Sequence, residues 1–181
     1  MVLTGCATLN KEECLSGDWR ELGLKDGING EPAARIEEHR KACSEQGIRP
    51  DEKLYLAGRA EGLREYCQIE NAFQSGLKGR HYKGVCPLEI HSLFLRYNNA
   101  AYTVYETRKE IKQLHDEISN KQNRLGSENT KDKESIRNLR GEIRDRERKL
   151  DELRNDLHDR ERALDDLMRE AQDTKRKSKQ G

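Results

Sequence analysis

The chain has 181 residues, with 35 Lys+Arg against 34 Asp+Glu and a formal net charge of +1. Charged residues make up 38% and hydrophobic ones 33%, with a mean hydropathy of -1.12, so no stretch supplies the roughly 20 apolar residues of a membrane-spanning helix. Balanced charge excludes a general nucleic-acid binder, and the low apolar content excludes one core enclosing the whole chain.

In chain order, residues 1–9 read as a lipobox remnant and linker that contains Leu3-Thr4-Gly5-Cys6. Residues 10–87 read as a small α-domain rich in Cys and Gly. Helix signals here are short: Pro32 opens a helix through Ile36 and Ala42 that ends at Gly47, and Pro50-Asp51 opens another through Leu54, Leu56, Leu63 and Tyr66. β-branched residues are few before residue 90, so no strand pair is expected.

A weak internal repeat runs through this domain. Trp19 is followed by Gly23, Gly27 and Gly30, Tyr55 by Gly58 and Gly62, and Phe73 by Gly76 and Gly79. A helical glycine costs about 1 kcal/mol against Ala, so the glycine strips require an offsetting contact. Two readings fit: close packing of another helix or aromatic ring, or a groove for a ligand, with packing the preferred one.

Residues 88–174 read as a coiled coil. Pro87 opens a long helix whose Tyr97, Val104, Ile111, Ile118 and Leu125 are seven apart, and Ile136, Ile143, Leu150, Leu157, Leu164 and Ala171 repeat the spacing. The two runs are out of phase by four residues, with Gly126, Ser127, Asn129 and Thr130 between them. A turn at 126–130 makes an antiparallel hairpin, and a stutter makes one continuous helix. The hairpin is preferred, because folding between Glu128 and Asn129 sets Ile118 opposite Leu139, Leu114 opposite Ile143 and Tyr97 opposite Arg160. Pairs such as Glu142 with Arg146 and Asp145 with Lys149 are expected to add support along one helix. Residues 175–181 read as a basic disordered tail in which Lys175, Arg176, Lys177 and Lys179 offer contact with an anionic surface. The fold class is therefore all-α: a disulfide-stapled helical domain followed by a coiled-coil hairpin.

Five cysteines leave one over. Cys14, Cys43, Cys67 and Cys86 are spread through the Gly-rich domain without a CxxC pair, and read as two disulfides in an oxidising compartment. Three pairings exist, and the one joining neighbours, Cys14–Cys43 and Cys67–Cys86, is preferred. A zinc site using these thiols with His39 and His81 is the alternative. Cys6 stands apart. Leu3-Thr4-Gly5-Cys6 looks like a bacterial lipobox, in which a leader is cut before Cys and that Cys receives lipid. Only Met1–Gly5 precede it, whereas a signal peptide needs a basic segment and an apolar run of about 7–15 residues, so the leader is expected upstream of Met1.

Gly5-Cys6-Ala7-Thr8-Leu9, Glu13-Cys14, Asp18-Trp19, Gly23 and Asp26-Gly27, with Cys43, Tyr55, Gly58, Gly62-Leu63, Tyr66-Cys67 and Gly84-Val85-Cys86-Pro87, resemble a family of Gram-negative lipoproteins known only by a domain of unknown function. The resemblance covers residues 5–87 and implies a secreted, lipid-anchored envelope protein with no established activity. Ala7 after the lipidated Cys implies the outer membrane, on its periplasmic face.

No catalytic constellation is present: the five His form no HExxH pair, there is no GxSxG elbow, and Gly58-Arg59-Ala60-Glu61-Gly62 lacks the Lys-Ser/Thr of a phosphate loop. The expected protein is a non-enzymatic lipoprotein without cofactor, metal or small-molecule substrate. It is held to a membrane through Cys6 and meets another protein, or a second copy, through its coiled coil. The alternative is a soluble cytosolic scaffold with reduced or zinc-bound thiols.

Overall fold

A computed structural model describes residues 9–126 and 132–178. Among these residues the chain is entirely helical: α1 (Lys11–Ser16), α2 (Trp19–Ile28), α3 (Arg35–Ala42), a 3-10 turn (Ser44–Gln46), α4 (Glu52–Tyr66), α5 (Ile69–Leu77), α6 (Leu88–Gly126) and α7 (Lys133–Ser178).

Polar caps set the helix starts. Asn10 and Glu13 close a reciprocal capping box on α1, and Gly17 at φ 64° ends that helix. The Asp18 carboxylate accepts the Glu21 N–H at 3.0 Å to open α2, and Asp51 accepts the Leu54 N–H at 3.0 Å to open α4. Asp132 accepts the N–H groups of Glu134 and Ser135 at the start of α7. Pro32 precedes α3 by three residues, so it sits in the turn and not at the first helical position.

The chain divides into two compact units that interleave in sequence. One comprises the described residues up to Ala72 together with Tyr82–Arg96, the other Phe73–His81 with the described residues from Tyr97 onward. The first unit has a core of Leu9, Cys14, Trp19, Ile36, Cys43 and Tyr55, joined by Leu22, Ala42 and Ile48. Two disulfides belong to it, Cys14–Cys43 and Cys67–Cys86, with Cα–Cα distances of 5.5 and 5.7 Å, which is the neighbour pairing.

The second unit contains the helical hairpin. Leu114, Ile118, Leu139, Ile143 and Leu150 are buried together, flanked by Ile111, Leu125 and Leu153, so α6 and α7 satisfy each other's apolar stripe within one chain. Most of the turn expected at 126–130 lies outside the described residues, and Gly126 is the last residue of α6. The register differs from the sequence expectation. Lys121 pairs with Glu142, and Glu117 with Arg146 at 2.7 Å, which mirrors the arms about residues 131 and 132. Arg154 meets His115 at 3.1 Å, and Arg108 reaches Glu161 at 2.7 Å. The hairpin is thus shifted by one heptad, so that Leu114 is level with Leu150 and Ile111 with Leu153. The shift brings Leu125 into register with Leu139, a partner that the expected register denied it.

The same shift changes the polar pairs. Glu142 and Lys149 are taken across the hairpin by Lys121 and Glu110, and not along α7. Arg160 binds Asp156 at 2.7 Å and lies beside Thr103 and Thr107, while Tyr97 stacks on Phe73 with ring centroids 4.6 Å apart. Helix α7 continues through Lys175, Arg176 and Lys177, so the described part of the basic tail is helical and exposed.

Candidate functional site

The most constructed part of the molecule is the glycine face. Gly23 and Gly27 of α2 meet Gly58 and Gly62 of α4. A Cβ on Gly23 would lie 2.0 Å from the Tyr55 carbonyl oxygen, and one on Gly27 2.3 Å from that of Arg59. Reciprocally, a Cβ on Gly58 would lie 1.9 Å from the Arg20 oxygen and one on Gly62 2.3 Å from that of Leu24. The contacts advance in the same direction along both helices, so α2 and α4 are parallel. The spacing of four puts each glycine pair on one face, and only that face permits backbone contact. The opposing backbone fills the strip, which excludes the groove reading for Gly23, Gly27, Gly58 and Gly62. Trp19 and Tyr55 are buried in the core beside it, at 6% and 0% exposure.

The same device recurs between α5 and α6. A Cβ on Gly27 meets Arg59, Gly62 and Leu63, and one on Gly76 meets Asn98, Ala101 and Tyr102 at the corresponding spacing. Helix α2 ends with the Gly30 N–H donating to the Gly27 carbonyl and the Glu31 N–H to that of Asp26. Helix α5 ends likewise, with Gly79 donating to Gly76 and Arg80 to Ser75. Gly30 (φ 69°) and Gly79 (φ 74°) are left-handed, and each faces a tyrosine ring, Tyr66 and Tyr105, too closely for a side chain. Arg59 Nε donates to the Glu31 carbonyl at 2.8 Å, and Asn98 Nδ2 to the Arg80 carbonyl at 3.1 Å. Each disulfide joins a cysteine before the first helix of a pair to one before the second. The internal repeat is therefore two-fold: a parallel helix pair, small residues between its helices, a left-handed glycine under a tyrosine, and one disulfide across its N-terminal ends. The three aromatic–glycine runs of the sequence are the pieces of these two pairs.

Polar groups fix each pair. Asp26 Oδ2 accepts from the Tyr55 hydroxyl at 2.7 Å and from His39 Nε2 at 2.8 Å, tying α3 to the α2–α4 pair. Burial alone would raise the Asp26 carboxyl. The hydrogen bonds from His39 and Tyr55, with Arg35 nearby, outweigh it and hold the pKa below the ordinary carboxylate value. Burial, and then the bond to Asp26, push the Tyr55 phenol well above its usual range. In the second pair Ser75 takes the place of Asp26 and accepts from Asn98 Nδ2 at 2.9 Å. The Asp26–His39–Tyr55 cluster escapes sequence reasoning, because three residues on three helices share no spacing. The one available hint was a histidine inside a short amphipathic helix of a small domain.

The predicted site residues fall as follows. Phe73 and Gly76 pack α5 against α6 in the second unit. Cys14, Cys43, Cys67 and Cys86 are all consumed in disulfides. That pairing argues against reduced or zinc-bound thiols, and His39 is engaged by Asp26. Lys175, Arg176 and Lys177 are exposed on the last turns of α7, where Arg176 pairs with Asp173. Cys6 and Lys179 lie outside the described residues. No described helix is long and apolar enough to cross a membrane.

A family match covers most of the repeated architecture. Residues 18–103 match the family described as "Protein of unknown function (DUF2799)". That segment runs from the Asp18 cap of α2 almost to Tyr105, so it takes in both helix pairs and leaves most of the hairpin outside. The chain is also 30% identical over 71 residues to "Uncharacterized protein YfiL" of Escherichia coli (strain K12), covering 39% of this chain and 54% of that protein. It thus spans about half the length of this curated relative. No solved structure matches.

Proposed function

We propose that the protein is a non-enzymatic lipoprotein of the bacterial cell envelope. Lipid on Cys6 anchors it to the periplasmic face of the outer membrane, and it has a structural or protein-interaction role through its coiled-coil hairpin. One observation carries this reading. The two disulfides take up Cys14, Cys43, Cys67 and Cys86, which leaves Cys6, in Leu3-Thr4-Gly5-Cys6, with no other cysteine of the chain to pair with. Disulfides persist in the periplasm and are rare in the cytosol, so the oxidised core and the lipobox point to the same compartment.

The hairpin's role follows from where its apolar surface goes. Because α6 and α7 cover each other's seam, a partner meets the charged outer faces and not an open Leu/Ile stripe. The basic end of α7, Lys175 to Lys177, adds a contact for an anionic surface. Stable membrane attachment takes more than one acyl chain, each buried CH₂ contributing about 0.8 kcal/mol.

The test is palmitate labelling. The gene is expressed with its native upstream region in a Gram-negative host, and wild type is compared with Cys6→Ser. Label in the envelope fraction that disappears in the variant is expected. Unlabelled protein that remains soluble in the cytosol overturns the reading.

A further inference from the structure

We propose that the lipid surface is itself a docking partner of the first unit. The end carrying Leu15 and Leu54 lies against it, and the end carrying Leu88 stands clear. The inference rests on the anchor at Cys6 proposed above and adds to it an orientation, set by how little chain separates the anchor from the core.

Leu9, the first described residue, is already 6% exposed and belongs to the cluster of Cys14, Trp19, Ile36, Cys43 and Tyr55. Cys6 lies three positions before it, and even fully extended those three steps span only about 10 Å. A lipid on Cys6 therefore holds this cluster close to the headgroups. Two leucines beside the cluster stand out in solvent. Leu15, next to Cys14, is 60% exposed, and Leu54, next to Tyr55, is 46% exposed. Both stand where the Cys14–Cys43 bridge gathers the N-terminal ends of the helices. Of the exposed acidic groups at this end, Glu13, Asp18 and Asp51 each bind a backbone N–H, whereas Glu12 and Glu52 face solvent beside Lys11 and Lys53. Lys11 and Lys53 flank the leucines in sequence, which suits an interface of lipid headgroups.

The first unit has a second set of exposed leucines, Leu88 at 87% with Leu93 and Leu95 at 37% each. Exposure alone would choose these. Reach excludes them. The Cys67–Cys86 bridge fixes the start of α6 to the residue after Tyr66, and Phe94 packs on Tyr66 with centroids 5.2 Å apart. Tyr66 is the last residue of α4 and Tyr55 lies in its first turns, so the two sets are separated by about 16 Å of helix. The tether reaches one set and not both.

The experiment uses the full chain with its disulfides intact, coupled through the Cys6 thiol to a maleimide lipid in phosphatidylcholine vesicles. Benzoylphenylalanine replaces Leu15, Leu54 or Leu88, all exposed positions where the larger group is tolerated, and irradiation is followed by mass spectrometry for lipid adducts. Adducts at 15 and 54 well above those at 88 are expected. Equal yields at the three positions, or none at 15 and 54, overturn the proposal. Chemical coupling removes dependence on cellular acylation. A failure of the palmitate experiment therefore sinks the anchor alone, and a failure here sinks the orientation alone.

Discussion

Replacing Gly23 with Ala adds one methyl group where none fits. Its carbon would lie 2.0 Å from the Tyr55 carbonyl oxygen and 3.0 Å from the Arg59 nitrogen. Those are backbone atoms of a helix and cannot swing aside. Relief requires α2 and α4 to separate by at least about 1 Å, which breaks the neighbouring contacts at Gly27, Gly58 and Gly62 as well. Overpacking of this kind costs about 1–3 kcal/mol and in tight cases more. Alanine returns about 1 kcal/mol of helix propensity. Because the obstruction is backbone on a shared face, the upper end applies, and the net loss is about 2 kcal/mol. For a domain of this size that lowers the melting temperature by about 10 °C. The same substitution at Gly141 meets only the tip of Arg144 at 3.9 Å, so there the propensity gain of about 1 kcal/mol stands alone. Thermal unfolding of both variants, disulfides intact, separates the two effects. Trp19 fluorescence reports the first unit, because Trp19 is the single tryptophan and is buried there, and far-UV circular dichroism follows all the helices, of which α6 and α7 are the longest. Gly23→Ala should destabilise the first transition and Gly141→Ala stabilise the second. A Gly23→Ala protein as stable as wild type would refute parallel contact between α2 and α4.

Three further outcomes follow. Removing Cys14–Cys43 by double Ser substitution should cost about 3.6 kcal/mol and removing Cys67–Cys86 about 3.2 kcal/mol, from loop separations of 29 and 19 residues; denaturant titration measures both, and an equal or reversed order would contradict the loop-entropy origin. Asp26 has a lowered folded pKa, so its contribution is present above the ordinary carboxylate value and is lost as pH falls below about 4. Acid titration followed by Trp19 fluorescence should therefore show an earlier, shallower loss in Asp26→Asn, and an unchanged acid limb would remove Asp26 from the cause. Finally, Leu114→Cys with Leu150→Cys should oxidise to a bridge within one chain at high dilution, whereas Leu114→Cys with Ile143→Cys should bridge poorly; the opposite preference would restore the fold point between Glu128 and Asn129.

Local and periodic features were legible from residues alone. The heptads of α6 and α7 announce two helical runs, because apolar period is a property of one chain segment, but their phase break fits a hairpin or a stutter, and only the matching of the two runs across a fold favours the hairpin. The glycine spacing announces a helix face with close contact. Which segments meet is less legible. Trp19-to-Gly30 pairs with Tyr55-to-Tyr66, and Phe73-to-Gly79 with Phe94-to-Tyr105, across separations that no period encodes. The second pair is disguised, since Ala101 and Asn98 stand where the first has Gly62 and Arg59. The hairpin register departs from the sequence expectation by one heptad for a related reason. Apolar seams match themselves at every seventh residue, and the choice falls to charges across the seam, Glu117 with Arg146 and Lys121 with Glu142. Two of those charges also have a partner spacing along α7, where Arg146 has Glu142 four residues before it. The Asp26–His39–Tyr55 cluster is a purely tertiary event, with one carboxylate oxygen serving two helices.

The most direct test of the envelope assignment is the intact mass of the native protein, purified from membranes and alkylated without reductant. The assignment predicts a mature chain that begins at Cys6, bears lipid on that residue, and has no other alkylated cysteine, because Cys14, Cys43, Cys67 and Cys86 are bridged. A chain that keeps residues before Cys6, carries no lipid and takes up alkylating agent at all five cysteines would contradict both the anchor and the oxidising compartment.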